Sequence, residues 1–172
     1  FAAAWGPDVA LSLLTWVSST TSHRIDLPAL VAHGRAMGSL IGVDITQAAG
    51  LLPFDVSEPA IDFTVSTSLK WMCGTPGAGI LHVAPHLIAE CQPELRGWFS
   101  QDNPFNWGLD TFQYAPDIRR FDNGTPGCMA ALASLPALDW HAQADRGAIA
   151  SQNRRQTARI IKAADDLGLT LV

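Results

Sequence analysis

No apolar run in this chain approaches the roughly 18 residues that a membrane helix needs, so no membrane partner is expected. Charge is scarce as well. Asp, Glu, Lys and Arg make up 16% of the 172 residues, the net charge is -5, and Lys and Arg form no basic stripe, so nucleic acid is not an expected partner either. The densest basic group, Arg154, Arg155, Arg159 and Lys162, has helical spacing and reads as one solvated helix face. The first residues, Phe1-Ala2-Ala3-Ala4-Trp5, lack both a Met and the positively charged region of a signal peptide, and the expectation is a chain cut from something longer. Cys73, Cys91 and Cys128 are odd in number and form no CxxC pair, which points to free thiols in a reducing cytoplasm. The histidines show no HExxH spacing. His82 and His86 are separated by a Pro where strand gives way to helix, so no metal site is expected. There is no internal repeat and no low-complexity segment.

What is present is 48% hydrophobic residues in a length that suits one domain or a little more. Leu11 to Ser18 is apolar and β-prone and reads as a buried strand. Asp26 caps a helix over Leu27 to Met37, with Pro28 in its first turn and Gly38 at its end. Ser39 to Asp44, a short apolar run between turn signals, suits a parallel strand. A short helix over 46–49 is expected next, then strands over Asp62 to Ser66 and Gly77 to Val83. This strand and helix rhythm is an α/β pattern. Glu94 to Asp122, rich in Pro, Gly, Asn and aromatics, reads as a long irregular connection of the kind that carries function. Thr125, with Pro126 behind it, is expected to cap a helix running toward Trp140 that breaks or bends at Pro136. Asp145 caps a last helix to about Asp166. Gly168 stops it, and Leu169 to Val172 begin a new strand.

Two motifs lie at the carboxyl ends of expected strands, where open α/β sheets bind ligands. In VDITQAAG, Val43 to Gly50, Asp44 ends a buried strand and Gln47 follows closely. A carboxylate there is costly without a positive partner, such as a pyridinium N–H, although an Asp at that point also serves as a plain helix cap. In STSLKWMCGTPGAG, Ser66 to Gly79, Lys70 follows a strand in a turn rich first in hydroxyls and then in glycine. A lysine amine can form a Schiff base where its surroundings lower its pKa, Thr67 and Ser68 offer hydroxyls to a phosphate, and the glycines allow close backbone approach. A lone loop lysine, on the other hand, is commonly a solvated surface residue.

Asp44 and Lys70 are 26 residues apart. That order of strand, Asp, Gln and then Lys resembles the class V aminotransferase family of fold-type-I pyridoxal-phosphate enzymes. LPFDVSEPAIDFTVSTSLK, with Pro53, Asp55, Asp62, Phe63 and Lys70, is similar to the family's stretch before its Schiff-base lysine. RGWFSQDNPF and the later RRFDNGTPG are similar to the kynureninase-like branch, with cysteine desulfurase-like enzymes nearby. The resemblance runs from about Val9 to Trp140. It implies part of a three-layer α/β/α large domain whose mostly parallel sheet contains one antiparallel strand, Gly77 to Val83. Residues 1–145 would belong to that cofactor-binding domain, and 146–172 would lead into a small C-terminal one.

By the same resemblance the cofactor is pyridoxal 5'-phosphate. Lys70 would hold it and later move protons at the substrate. Asp44 would hold the ring nitrogen protonated, and Gln47 would bond the ring's phenolic oxygen. Thr67 and Ser68 lie at phosphate-side positions, and Ser19, after the first strand, is a further cofactor candidate. Trp98 and Thr125 match positions that reach the neighbouring subunit's phosphate in a homodimer. The ring-stacking aromatic, the main phosphate loop and the substrate-carboxylate Arg would lie outside these residues, and an inactive fragment is the expectation. The implied activity is on an amino acid, with kynureninase-like hydrolytic cleavage slightly ahead of epimerisation, transamination or desulfuration. Two departures bear on this. Leu69 stands where relatives carry His or Tyr, and Gln47 where kynureninases prefer His. Leu69 also motivates a third reading, a non-catalytic homologue. A desulfurase nucleophile would belong to the missing C-terminal domain. Cys128 is expected to be buried in a helix, and Cys73 has no His partner to activate it.

Overall fold

Asp26, two residues before Pro28, sets the first long helix. Its Oδ1 accepts a hydrogen bond from the Ala29 amide at 3.1 Å, and α1 runs over Leu27–Met37 until Gly38 closes it. In this computed structural model, which describes residues 1–108 and 110–170, α1 follows β1 (Leu11–Thr15) and precedes β2 (Leu40–Asp44). β3 (Phe63–Thr67), β4 (Gly79–Val83), the single turn α2 (Pro85–Ile88), α3 (Cys128–Gln143) and α4 (Arg146–Asp166) complete the long elements.

The four strands lie in the order β1-β2-β3-β4. β1 and β3 each pair parallel with β2, and β4 runs antiparallel to β3, as expected for this stretch. Leu14 and Val43 are partners across β1 and β2. With Ile41 they face Leu27 and Val31 of α1, and Trp5 joins the same core. Part of the opposite face, at Leu40, Phe63 and Val83, packs against Leu87, Ile88 and Phe121. Burial of such a face is the main stabilising term for a sheet of this kind.

Asp62 anchors this frame just before β3. It is 2% exposed, its Oδ2 accepts from Arg35 Nη1 at 2.6 Å and from the Ile41 amide at 2.7 Å, and its carbonyl accepts the Ala84 amide. One residue thus ties α1 and the start of β2 by its side chain and the end of β4 by its carbonyl.

Several local expectations need correction. β1 stops at Thr15 rather than Ser18, because Trp16 turns the chain toward a bridge between Val17 and Arg24. Residues 46–49 form a hydrogen-bonded turn without a helix, with the Ala48 and Ala49 amides both on the Ile45 carbonyl. β3 is shifted by one residue toward Thr67, and β4 starts two residues later than expected. Thr125 does not cap α3. The helix starts at Cys128 with Gly127 at its cap and no side-chain cap bond. Pro136 does not break α3, which continues to Gln143. Pro136 deprives only the Leu132 carbonyl of its helical donor, and Leu132 is 56% exposed, so water can serve that oxygen. Cys128 is exposed, since the first turn of α3 is not packed. α4 matches expectation, with Asp145 Oδ1 accepting from the Ala148 amide at 3.0 Å, and Arg154, Arg155, Arg159 and Lys162 are all exposed. Of the strand expected at 169–172, residues 169–170 are not extended in a sheet and 171–172 lie outside the described residues.

Candidate active site at the carboxyl edge of the sheet

Parallel strands β1, β2 and β3 end together at Thr15, Asp44 and Thr67, so the chain segments that follow them share one edge. Asp44 is half-buried there. Its Oδ1 accepts from the Thr46 amide at 2.8 Å, which makes it the cap of the 46–49 turn, and among the described residues its Oδ2 has no hydrogen-bond partner. Gln47, on the same turn, is half-buried, and its amide group meets no partner among the described residues. Ser19 sits on an exposed turn four residues past the end of β1 and touches neither group by a hydrogen bond.

The lysine loop, 68–78, is built from its own polar groups. Thr67 ends β3 half-buried, with its amide 3.3 Å from Thr46 Oγ1 and its hydroxyl directed to the Ala78 carbonyl at 3.4 Å. Ser68 is 3% exposed, and its hydroxyl is spent on the carbonyls of Thr75 and Ala78 at 2.9 and 3.1 Å. It holds the loop closed rather than presenting a free donor. Lys70 is exposed, and its carbonyl accepts the Cys73 amide at 2.9 Å in a turn where Cys73 takes a φ of 57°. The Lys70 amine forms no ion pair among the described residues. Leu69 and Trp71 on either side are 39% and 49% exposed, so neither is core.

The Asp44 turn and the lysine loop meet at two points. The first is the Thr46 hydroxyl under the Thr67 amide. The second is Gly50. Its φ is +87°, and a Cβ there would come within 2.6 Å of the Trp71 carbonyl oxygen and 2.8 Å of the Met72 nitrogen. Only a glycine combines that conformation with that approach. The VDITQAAG motif therefore ends in Gly50 because its last residue is pressed on the Trp71–Met72 peptide of the lysine loop. Sequence reading had left Thr46 and Gly50 without roles, though the glycine after Ala48-Ala49 was a visible signal.

The turns that precede Trp98 and Thr125 are brought together at Gly97 and Asn123. Gly97 lies so close to the Asn123 carbonyl that any Cβ at 97 would overlap it, which sets the RGW turn against the NGTPG turn. Trp98 is half-buried, edge-on to Phe99 and stacked on Trp107 at 5.9 Å between ring centroids, and Thr125 is exposed. Trp107 and Phe105 beside it are 71% and 67% exposed. Among the described residues there is no cluster of His, Cys, Asp or Glu that could hold a metal, and no helix is long and apolar enough to cross a membrane. Two exposed carboxyls are held below their ordinary pKa: Asp55 by the Ser57 hydroxyl and then the Ser57 amide, and Asp117 chiefly by the Arg119 amide.

A mostly parallel sheet whose carboxyl edge carries the Asp44 turn and the lysine loop is an α/β arrangement of the kind that binds ligands at that edge. The chain belongs to the class V aminotransferase family, whose model matches residues 1–172. It is 31% identical to a kynureninase of Deinococcus radiodurans over 93% of this chain and 39% of that protein. It is 32% identical to an isopenicillin N epimerase of Streptomyces clavuligerus over 99% of this chain and 44% of that one. Among solved structures, the cysteine desulfurase CsdA of Escherichia coli superposes with a TM-score of 0.80 at 24% identity, covering 95% of this chain and 39% of that one. A cystine C-S lyase seen with cysteine persulfide gives 0.73 at 27% identity, covering 85% and 39%. A mutant of that lyase carries glycine covalently linked to its pyridoxal-phosphate cofactor. The chain thus spans less than half the length of these relatives, which belong to a family of pyridoxal-phosphate enzymes.

Proposed function

We propose that this chain is the cofactor-holding part of a pyridoxal-phosphate enzyme acting on an amino acid, with Lys70 as the residue that binds the cofactor covalently. The carrying observation is the double contact between the Asp44 turn and the lysine loop, Thr46 on Thr67 and Gly50 on Trp71, which holds an acid and an amine at one sheet edge with their reactive ends free.

The donor set fits the group. Asp44 has Oδ2 to offer a protonated ring nitrogen, Gln47 an amide for the ring oxygen, and Thr67 a hydroxyl on the phosphate side. Ser68 serves as the loop's internal tie, and Ser19 stands further off as a weaker contributor. When bound, pyridoxal phosphate supplies an electron sink for the bond broken at the substrate α-carbon. Lys70 would hold and then move the proton at that carbon, and Asp44 would keep the ring nitrogen charged. Residues 1–145 are read as part of the cofactor domain and α4 as the connection to a smaller one, in a protein that works in the cytoplasm.

Borohydride reduction of the full-length holoenzyme followed by peptide mapping tests Lys70. The expected pyridoxyl label is on Lys70. A label on Lys162, or on a lysine outside these residues, would overturn the assignment.

For the reaction, kynureninase-like hydrolysis is slightly favoured because the GW and GTPG turns of that branch are packed on each other through Gly97 and Asn123. Epimerisation is the second reading, supported by Gln47 and by the equally similar epimerase relative. Trp98 and Thr125 are read as donors to the phosphate of a second copy in a homodimer, an indole N–H and a hydroxyl, each suited to an anion. Complementation tests this. Lys70→Ala subunits mixed with Trp98→Ala, Thr125→Ala subunits should regain activity well above either parent, since one site of the mixed dimer then has all three groups. Mixed dimers that form without recovery would mean that each site is built from one chain.

A further inference from the structure

We propose that His141 is a positioning residue for Lys70. The inference rests on the reading of Lys70 as the cofactor lysine. His141 lies in the last turn of α3, 70 residues along the chain from Trp71, and its Nε2 is 3.0 Å from the Trp71 carbonyl oxygen. A carbonyl can only accept, so Nε2 carries the proton and donates.

The bond is received by the Trp71–Met72 peptide, one peptide beyond the one that follows Lys70. The Lys70 side chain has no ion pair of its own among the described residues, so what its surroundings fix is the backbone of 70–73 from which it departs. That backbone is fixed from two sides. Gly50 presses on the Trp71 carbonyl from the Asp44 turn, and His141 holds the same oxygen from α3. The Cys73 thiol is a far weaker donor at 3.6 Å. α3 is itself anchored to the other end of the loop. Ser134, fully buried, accepts the Thr75 amide at 2.9 Å, and the Thr75 hydroxyl donates to the Ala130 carbonyl at 2.7 Å. One helix therefore grips the lysine loop at both ends. Ser134 sets where the loop sits, and His141 sets how the Trp71–Met72 peptide is turned. With the bond lost, the Trp71 carbonyl can rotate away from Gly50 and the backbone from which the Lys70 side chain departs is held less tightly.

The test uses the full-length enzyme stripped of cofactor, with His141→Phe, which keeps ring volume without a donor, and His141→Gln, which restores an N–H at similar reach. Two measurements are made: the rate at which added pyridoxal phosphate becomes covalently attached, followed by absorbance, and amide hydrogen exchange over residues 71–75. His141→Phe should slow capture and speed exchange by about tenfold each, the equivalent of one net hydrogen bond, while His141→Gln should stay near the parent. Capture at the parent rate in His141→Phe, or equal slowing in both variants, would overturn the proposal. Borohydride mapping of each product separates the two ideas. A label away from Lys70 sinks the lysine assignment, whereas a label on Lys70 with unchanged rates sinks only the role of His141.

Discussion

Asp44→Asn in the full-length enzyme should leave the fold intact and slow turnover by about a hundredfold or more. The fold should survive because the carboxylate's structural bond, Oδ1 to the Thr46 amide, can be made equally well by the Asn carbonyl oxygen. Turnover should fall because an amide cannot carry the negative charge that holds a ring nitrogen protonated. A charge-assisted hydrogen bond is worth about 1.5–3 kcal/mol, and each ~1.4 kcal/mol of barrier is tenfold in rate. Half-burial at the sheet edge weakens screening by water and raises the effect further. The check is kcat for the variant beside its thermal melt. A variant that melts like the parent and turns over at the parent rate would reduce Asp44 to the cap of its turn.

The second large effect is on folding. Asp62→Ala should destabilise the protein by about 2–4 kcal/mol, a large share of the stability of an ordinary domain. The substitution strands the Ile41 amide, whose residue is fully buried, and unpairs Arg35. The figure is kept below the cost of breaking a fully buried ion pair because the Arg35 side chain is 39% exposed and can return to water. Asp62→Asn should lose less, since its Oδ1 can still accept the Ile41 amide. Thermal and denaturant melts of the full-length protein decide the matter, and an Asp62→Ala variant that melts with the parent would show that the buried carboxylate is replaceable. His86 Nε2, 3.9 Å from Asp62 Oδ1, is too distant to take over from Arg35.

The two effects separate the roles of two carboxylates 18 residues apart in sequence. Asp62, before β3, has its accepting oxygen filled by groups of the protein itself, and its work is architectural. Asp44, at the opposite end of its strand, retains an oxygen without a hydrogen-bond partner among the described residues. Burial and partners distinguish them where residue type does not. The hydroxyls beside the lysine loop differ in degree: Ser68 is held by the Thr75 and Ala78 carbonyls at 2.9 and 3.1 Å, whereas Thr67, half-buried at the strand end, makes a longer bond of 3.4 Å to Ala78.

The features legible in the chain are local or motif-borne. Asp26, Pro28 and Gly38 mark α1 to the residue because capping and termination act over one turn of chain. Asp145 does the same for α4. The short apolar runs ending at Asp44 and before Lys70 identify strands that must be buried on both faces, and the spacing of Asp44, Gln47 and Lys70 carries the family. Where local signals competed, the sequence misled. Thr125-Pro126 has the chemistry of a helix start, yet α3 waits for Cys128, and Pro136 has the chemistry of a break, yet α3 continues to Gln143. The tertiary structure alone decided which backbones touch. Gly50 on Trp71, Gly97 on Asn123, Ser134 on Thr75 and His141 on Trp71 join segments between 21 and 70 residues apart. None of these pairs has a periodicity or a short-range signature, because a glycine pressed on a distant peptide, or a histidine reaching a distant carbonyl, is specified by the packing of whole elements and not by its neighbours in the chain.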